Sequence, residues 1–305
     1  MKRFFFLAIS LIMCLGACAS AEMEIVCSLF PQYDFTRCIA GNHARVTQLL
    51  PNGVDSHGFE PSMRNMLNTD AADLFIYTDS ELEGWVETFV KGLSNVKVVR
   101  CADGIDLESI HDEWEARESH GHDHADDHSH TYDAHIWLDP MLAAQMCENI
   151  AQSLMEVDPE HKEEYRKNAD LYIDELMKLD AEFQALFAGY PDAEFFFGGK
   201  FAYSHFLRRY DLNYVTAYQT CSDEGEPSVR TIVNMADRMR QQGAKVIFTD
   251  EMSSGQIAQS LADQTGAKVL TFHTCHNLSK DDAAAGKTYL AIMRQNLEYL
   301  REALS

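Results

Sequence analysis

Basic residues are scarce in this chain: 25 lysines and arginines stand against 48 aspartates and glutamates, for a formal net charge of −23. That balance opposes nucleic acid and anionic lipid and tolerates a cationic ligand, so no nucleic-acid partner is expected. No two cysteines form a C-x-x-C pair, which argues against a thiol redox motif and against a structural zinc knuckle. No H-E-x-x-H helix is present to build a metalloprotease site. Beyond residue 18 no apolar run is long enough to cross a bilayer, and no internal repeat is evident. What remains is ordinary for a globular protein: 305 residues, 46% hydrophobic and 24% charged, enough for two domains or one large one.

The first eighteen residues, MKRFFFLAISLIMCLGAC, place Lys2 and Arg3 before an apolar run from Phe4 to Leu15. They read as a secretory signal rather than a mature membrane helix. The run ends in Leu15-Gly16-Ala17-Cys18, which resembles the lipobox of bacterial lipoproteins, and Cys18 would then carry the lipid anchor. Cleavage after a small residue such as Ala19 is the alternative. The expected location is extracytoplasmic, anchored to the bacterial membrane in the periplasm or at the cell surface. Six further cysteines (27, 38, 101, 147, 221 and 275) are even in number, but their order does not dictate a pairing.

After the signal the chain alternates short β-branched runs with helical spacing. EIVCSLF, ARVTQLL, DLFIYT (73–78), VKVVR (96–100) and KVIFTD (245–250) read as buried strands. Strands apolar on both faces suit parallel sheets covered by helices, so the predicted class is α/β. One element interrupts the rhythm. From Asp158-Pro159 the residues Tyr165, Ala169, Tyr172, Leu176, Leu179, Phe183 and Leu186 recur at helical spacing up to Gly189-Tyr190-Pro191. About thirty residues of helix would extend about 45 Å, either as a spine between two lobes or as the core helix of a single domain.

Histidine carries the chemistry. Within residues 119–130, SHGHDHADDHSH, five imidazoles (His120, His122, His124, His128 and His130) alternate with acids in a segment with little apolar content, the composition of an inserted loop. Two others stand apart. His57 lies in the turn-rich LPNGVDSHGFEPS, ahead of a Pro61-Ser62 helix start, and His135 lies in YDAHIWLDP, before a helix start at Asp139-Pro140. Each position, between a strand and a helix, can reach a ligand.

In order along the chain, LLPNGVDSHGFEPS, DLFIYTDSELEGWVE, the histidine-rich insertion, HIWLDP, the long helix and the closing TYLAIMRQNLEYLREAL resemble the zinc- and manganese-binding solute-binding proteins of bacterial ABC importers (cluster A-I, ZnuA-like and TroA-like). The resemblance implies two Rossmann-like lobes with parallel sheets joined by one long rigid α-helix, with the metal in the cleft between them. The expected division is a signal peptide over 1–18, an N-terminal lobe over 19–157, a linker helix over 158–189 and a C-terminal lobe over 190–305. His57 and His135 match the positions that carry metal ligands in the N-terminal lobe of that family. In the second lobe the sequence departs. Aligned on Arg209-Tyr210-Asp211-Leu212, the usual third ligand position holds Lys200, whose protonated ammonium cannot ligate a cation. His205 is a substitute candidate, although it sits roughly 140° around a helix from position 200. The usual aspartate after the last strand is replaced in KVLTFHTCHN by His273, expected as the third ligand. Cys275 could face the cleft beside His273, whereas His276 would face away if the strand continued. Cys275 could equally pair with Cys221. Among the nearby acids, Glu224, Glu226, Asp250 and Glu251 are candidates for supporting groups.

Three imidazoles favour Zn²⁺ over Mn²⁺, which prefers oxygen-rich sites. The histidine run, lacking fixed geometry, would collect zinc near the cleft rather than define the site. The leading expectation is therefore a non-enzymatic, monomeric receptor that captures Zn²⁺ and delivers it to the membrane permease of an ABC importer. A manganese-binding member of the same family, a surface zinc metallohydrolase with Glu60 or Glu251 as base, and an adhesion lipoprotein are the alternatives.

Overall fold

The computed structural model describes residues 22–105, 107, 133–218 and 225–305. The signal segment with Cys18, the histidine run of 119–130, Cys221 and Glu224 lie outside the described residues.

The apolar runs form two four-stranded parallel sheets. The first contains β1 (Met23–Cys27), β2 (Ala44–Gln48), β3 (Leu74–Tyr77) and β4 (Lys97–Arg100) in the order β2-β1-β3-β4. The second contains β5 (Glu194–Phe197), β6 (Asn213–Thr216), β7 (Val246–Thr249) and β8 (Lys268–Thr271) in the equivalent order β6-β5-β7-β8. Every pairing is parallel, from Ile25 with Val46 and Leu74 to Phe248 with Leu270. In each sheet the strand order reverses between the first and third strands. The loops leaving the carboxyl ends of those strands diverge there and open a crevice.

Local chemistry sets the helix boundaries. Ahead of α2 (Met63–Asp70), Ser62 and Asn65 form a reciprocal capping box, and ahead of α4 (Pro140–Val157) the Asp139 carboxylate takes the N–H groups of Met141 and Leu142. Helix α5, Lys162–Phe187, has 26 residues and so extends about 39 Å. It starts later than the Asp158-Pro159 signal predicts. Asp158 instead closes the end of α4, its N–H bonded to Leu154 O, and its carboxylate holds His161 Nδ1 and Tyr165 Oη, each at 2.6 Å. The dipeptide thus forms the turn of a helical hairpin, with α4 and α5 packed along each other.

The expected apolar stripe of α5, including Tyr165, Ala169, Leu176, Leu179 and Phe183, is buried. It belongs to a continuous core running from Ile25 and Ile76 under the first sheet, through α4, α5 and α10 (Tyr289–Leu304, which follows the short α9, Lys280–Ala284), to Phe197 and Phe248 under the second. Two smaller clusters cover the outer faces: one gathers Phe75 and Phe89, of α3 (Val86–Lys91), and the other gathers Met239, of α7 (Val229–Gln242), with Leu261, of α8 (Gln256–Thr265).

Buried carboxylates fasten the same layers. Asp34, on α1 (Phe30–Ala40), accepts from Arg37 at 2.6 Å, Tyr172 Oη at 3.1 Å and the Tyr289 N–H at 3.0 Å. Asp180, on α5, accepts from Arg209 at 2.9 and 2.8 Å and from Tyr210 Oη at 3.0 Å, and so ties α5 to α6 (Ser204–Arg209) and the residue after it.

Glu83 is a buried carboxyl of another kind. Burial pushes it up from 4.5 to about 7, against the opposing bond from the Thr78 N–H at 2.8 Å. Between those values the folded chain holds a proton that the unfolded chain has lost, so stability falls as pH rises through the window. Glu83→Gln is expected to flatten this slope and to be the more stable chain at pH 8, by at most roughly 3 kcal/mol. Urea unfolding at pH 5, 6, 7 and 8 checks it, and parallel curves for the two proteins would refute the assignment.

Candidate metal centre

The crevice between the two sheets receives one imidazole from each of three loops. His57 stands on the connection from β2 to α2, His135 at the start of the short 3₁₀ turn Ile136–Leu138, and His276 beyond β8. One nitrogen from each ring lies within 4.8 Å of the other two, and this is the one such group of histidine, cysteine or carboxylate side chains found among the described residues. The ring centroids are 6.1 Å apart for His57 and His135, 5.4 Å for His57 and His276, and 4.4 Å for His135 and His276. His135 and His276 are buried, and His57 is the most open of the three.

Hydrogen bonds fix which nitrogens face inward. Thr274 gives its hydroxyl proton to Glu251 Oε1 at 2.6 Å, while its backbone N–H donates to Glu251 Oε2 at 2.8 Å. The hydroxyl oxygen therefore accepts at 2.5 Å from His276 Nδ1–H, and His276 Nε2 keeps its lone pair. On the other side His135 Nδ1–H donates to the Asp133 carboxylate, which leaves the lone pair of its Nε2 pointing inward. The two Nε2 atoms are 2.5 Å apart. Both lone pairs face the space beside His57, and three imidazoles gathered around one point are a donor set that fits a divalent ion. Two of the three imidazoles thus have an outer carboxylate, direct for His135 and relayed by Thr274 for His276, the arrangement that orients a ligand and raises its basicity.

Charge follows the same pattern. Burial alone would raise the Asp133 carboxyl, but His135, aided by His205, holds it well below the usual carboxylate range. Burial, together with the neighbouring rings of His135 and His57, pushes His276 well below the ordinary imidazole value, so it is neutral at pH 7.

The third ring of the cluster is His276 and not His273. Strand β8 ends at Thr271, so the alternation that would direct His273 into the cleft does not continue. His273 is clamped to α10: its N–H donates to Asn296 Oδ1 and its carbonyl accepts from Asn296 Nδ2, both at 2.9 Å. Its Nδ1 accepts the Cys275 N–H at 2.9 Å. Cys275 then adopts a left-handed backbone, φ 59°, and this turn swings His276 into the cleft. Groups of the first lobe hold the new direction. Phe30 N–H donates to His276 O at 3.3 Å, Trp137 Nε1 to Thr274 O at 2.7 Å and Gly53 N–H to Leu278 O at 2.8 Å. Asn277 Nδ2 reaches Pro51 O and Val54 O, at 2.7 and 2.9 Å, and so pins the His57 loop.

The two secondary candidates lie outside the cluster as well. His205 is buried with its Nε2 on the Asp133 carbonyl, where it supports the segment leading to His135, and burial lowers its pKa. Cys275 is a buried free thiol whose pKa burial pushes well up, the reverse of what a thiolate ligand needs. Lys200 lines the cleft beside His57 and His276. Asp250 and Glu251 are supporting groups: Asp250 caps its own turn, accepting from Met252 and Ser253 N–H at 2.9 and 2.7 Å. Against that carboxylate Gly199 allows no side chain, since a Cβ there would lie 2.5 Å from Asp250 Oδ2. No sequence pattern announced His276; the signal available was only its presence in a histidine-bearing loop after the last strand.

Comparison with known proteins gives the same picture. A model of the family described as "Zinc-uptake complex component A periplasmic" matches residues 25–303. The zinc-binding protein AdcA of Streptococcus pyogenes is 30% identical over 294 residues, covering 93% of this chain and 56% of AdcA, so the chain spans about half the length of that relative. The high-affinity zinc uptake system protein ZnuA of Bacillus subtilis is 32% identical over 286 residues, covering 93% of this chain and 88% of ZnuA. Among solved structures, the metal-dependent lipoprotein YcdH of Bacillus subtilis aligns with a TM-score of 0.78 at 29% identity, over 92% of this chain and 98% of YcdH. The Zn(II)-bound ZnuA-like domain of Streptococcus pneumoniae AdcA aligns with a TM-score of 0.76 at 26% identity, over 92% of this chain and 98% of that domain. With the match running from β1 through α10, the chain belongs to the family of the periplasmic component A of zinc-uptake complexes.

Proposed function

We propose that the protein is the extracytoplasmic zinc receptor of an ABC importer, with His57, His135 and His276 as the ligands of its cargo ion. The observation that carries this reading is the convergence of three imidazoles, two of them oriented by outer carboxylates, in a crevice between two lobes. An all-nitrogen set at about 2.0–2.1 Å suits zinc and leaves a fourth tetrahedral position for water or another donor. Manganese would call for more oxygen. Glu251, which could have served a hydrolase as general base, has both oxygens committed to Thr274.

The histidines of 120–130 collect ions by raising their local concentration, and the lipid on Cys18 keeps the receptor near its permease partner. The monomer is the working unit. Release follows from geometry: His57 and His135 come from the first lobe and His276 from the second, so a permease that shifts the 272–278 segment breaks the set.

Single replacement of His57, His135 or His276 by Ala is expected to weaken zinc binding by at least about a hundredfold, whereas His273→Ala keeps the tight site. Competition with a chromogenic chelator measures this, and Trp137 provides a second readout because its ring centroid is 5.4 and 5.5 Å from those of His135 and His276. Retention of tight binding by His276→Ala, or its loss in His273→Ala with the fold intact, would overturn the ligand set. Deleting residues 119–130 should leave one tight zinc equivalent by calorimetry.

Thr274→Val tests the relay. With the hydroxyl gone, His276 loses its orienting acceptor while the ligand itself stays, and zinc affinity should drop about 10- to 100-fold with little change in thermal stability of the metal-free chain. Unchanged affinity would show that the relay is ornamental.

A further inference from the structure

The side of the site not filled by imidazole opens on a cleft of ≈ 350 Å³, a volume that includes its solvent-open mouth. Besides His57 and His276, three charged residues line it: Asp55, Lys200 and Asp250. Asp250 is occupied by its own turn and by the Lys200 N–H at 2.9 Å. Asp55 and Lys200 face each other across the cleft, one on the His57 loop and the other just after β5. Asp55 Oδ1 accepts the His57 N–H at 2.8 Å, and Asp55 Oδ2 lies 3.9 Å from Lys200 Nζ.

We infer that Lys200 is a resident cation that competes with the cargo ion and sets its affinity. Two physical effects act together. The ammonium repels a dication held by its neighbours His57 and His276, and with the Lys200 side chain only 32% exposed, water screens that repulsion incompletely. It also neutralises Asp55, the carboxylate that would otherwise attract the ion from the second coordination sphere. A site built from three well-oriented imidazoles is thereby kept weaker than its ligands alone would make it, and the ion can be handed on. Lys200 is an affinity-setting residue that does not ligate the ion, and the inference rests on the zinc reading of the histidine cluster.

The test is zinc affinity by chelator competition in the full chain. Lys200→Leu removes the charge and supplies no donor atom, and it is expected to bind zinc about tenfold more tightly, a gain that structural damage does not produce. Lys200→Arg keeps the charge and should stay within about threefold of the parent. Asp55→Asn retains the acceptor for the His57 N–H but releases Lys200, and should weaken binding severalfold. Raising the ionic strength from about 20 mM to about 500 mM should shrink the ratio between Lys200→Leu and the parent, since screening weakens a charge effect and leaves a packing effect alone. Equal or weaker binding by Lys200→Leu, or a ratio indifferent to salt, overturns the inference. His276→Ala, measured alongside, separates the two levels: if it keeps the tight site, or the parent has none, the ligand assignment fails instead.

Discussion

The left-handed turn at Cys275 is the constraint on which the centre depends. A strand continuing from β8 would keep alternating its side chains, and His276 would point away from the first lobe. At φ 59° the backbone leaves that alternation, and three donors from the first lobe, the N–H groups of Phe30 and Gly53 and Trp137 Nε1, keep it there together with two acceptors, Pro51 O and Val54 O, that take Asn277 Nδ2. An unusual conformation at a non-glycine residue costs of order 1 kcal/mol and persists where the surroundings over-determine it. Here the surroundings are the other lobe, so the third donor is in position only when both lobes are assembled.

Assembly is secured by a core that does not stop at the lobe boundary. The cluster that begins beneath β1 continues along α4, α5 and α10 to the aromatic group of Phe197, Phe248 and Phe272. Wide separation of the sheets would expose that surface at roughly 25 cal/mol per Å² and break the Asp34 and Asp180 fastenings. Small displacements of loops cost far less. If the proposed ligand set holds, ion capture and loss are local events at the 272–278 segment and the His57 loop, carried on a stiff frame, rather than wide opening of two hinged halves.

The electrostatics of the site are layered. On the proposed reading the three imidazoles stand next to the ion; behind them Asp133 and, through Thr274, Glu251 supply negative charge where it strengthens His135 and His276 without occupying coordination positions. The acidic surface, at −23 overall, draws cations inward. Against that attraction stands one ammonium inside the cleft, Lys200.

Much of this was already legible in the residues. Doubly apolar β-branched runs dictate parallel strands, Ser62 and Asp139 mark helix starts through local capping, and the spacing from Tyr165 to Phe183 defines the buried stripe of α5, because each depends on interactions within a few residues. His57 and His135 stood out on local grounds too, each lying just ahead of a helix start, Pro61-Ser62 for His57 and Asp139-Pro140 for His135. The start of α5 was misread because Asp158-Pro159 serves equally as a cap or as a turn, and only the His161 and Tyr165 side chains, folded back onto the carboxylate, settle the matter. The choice of His276 over His273, the passive placement of His205 and the meeting of Lys200 with Asp55 belong to tertiary structure alone. Each turns on backbone direction or charge set by groups a hundred or more residues distant, or on the opposite side of the cleft, and local periodicity contains no term for them.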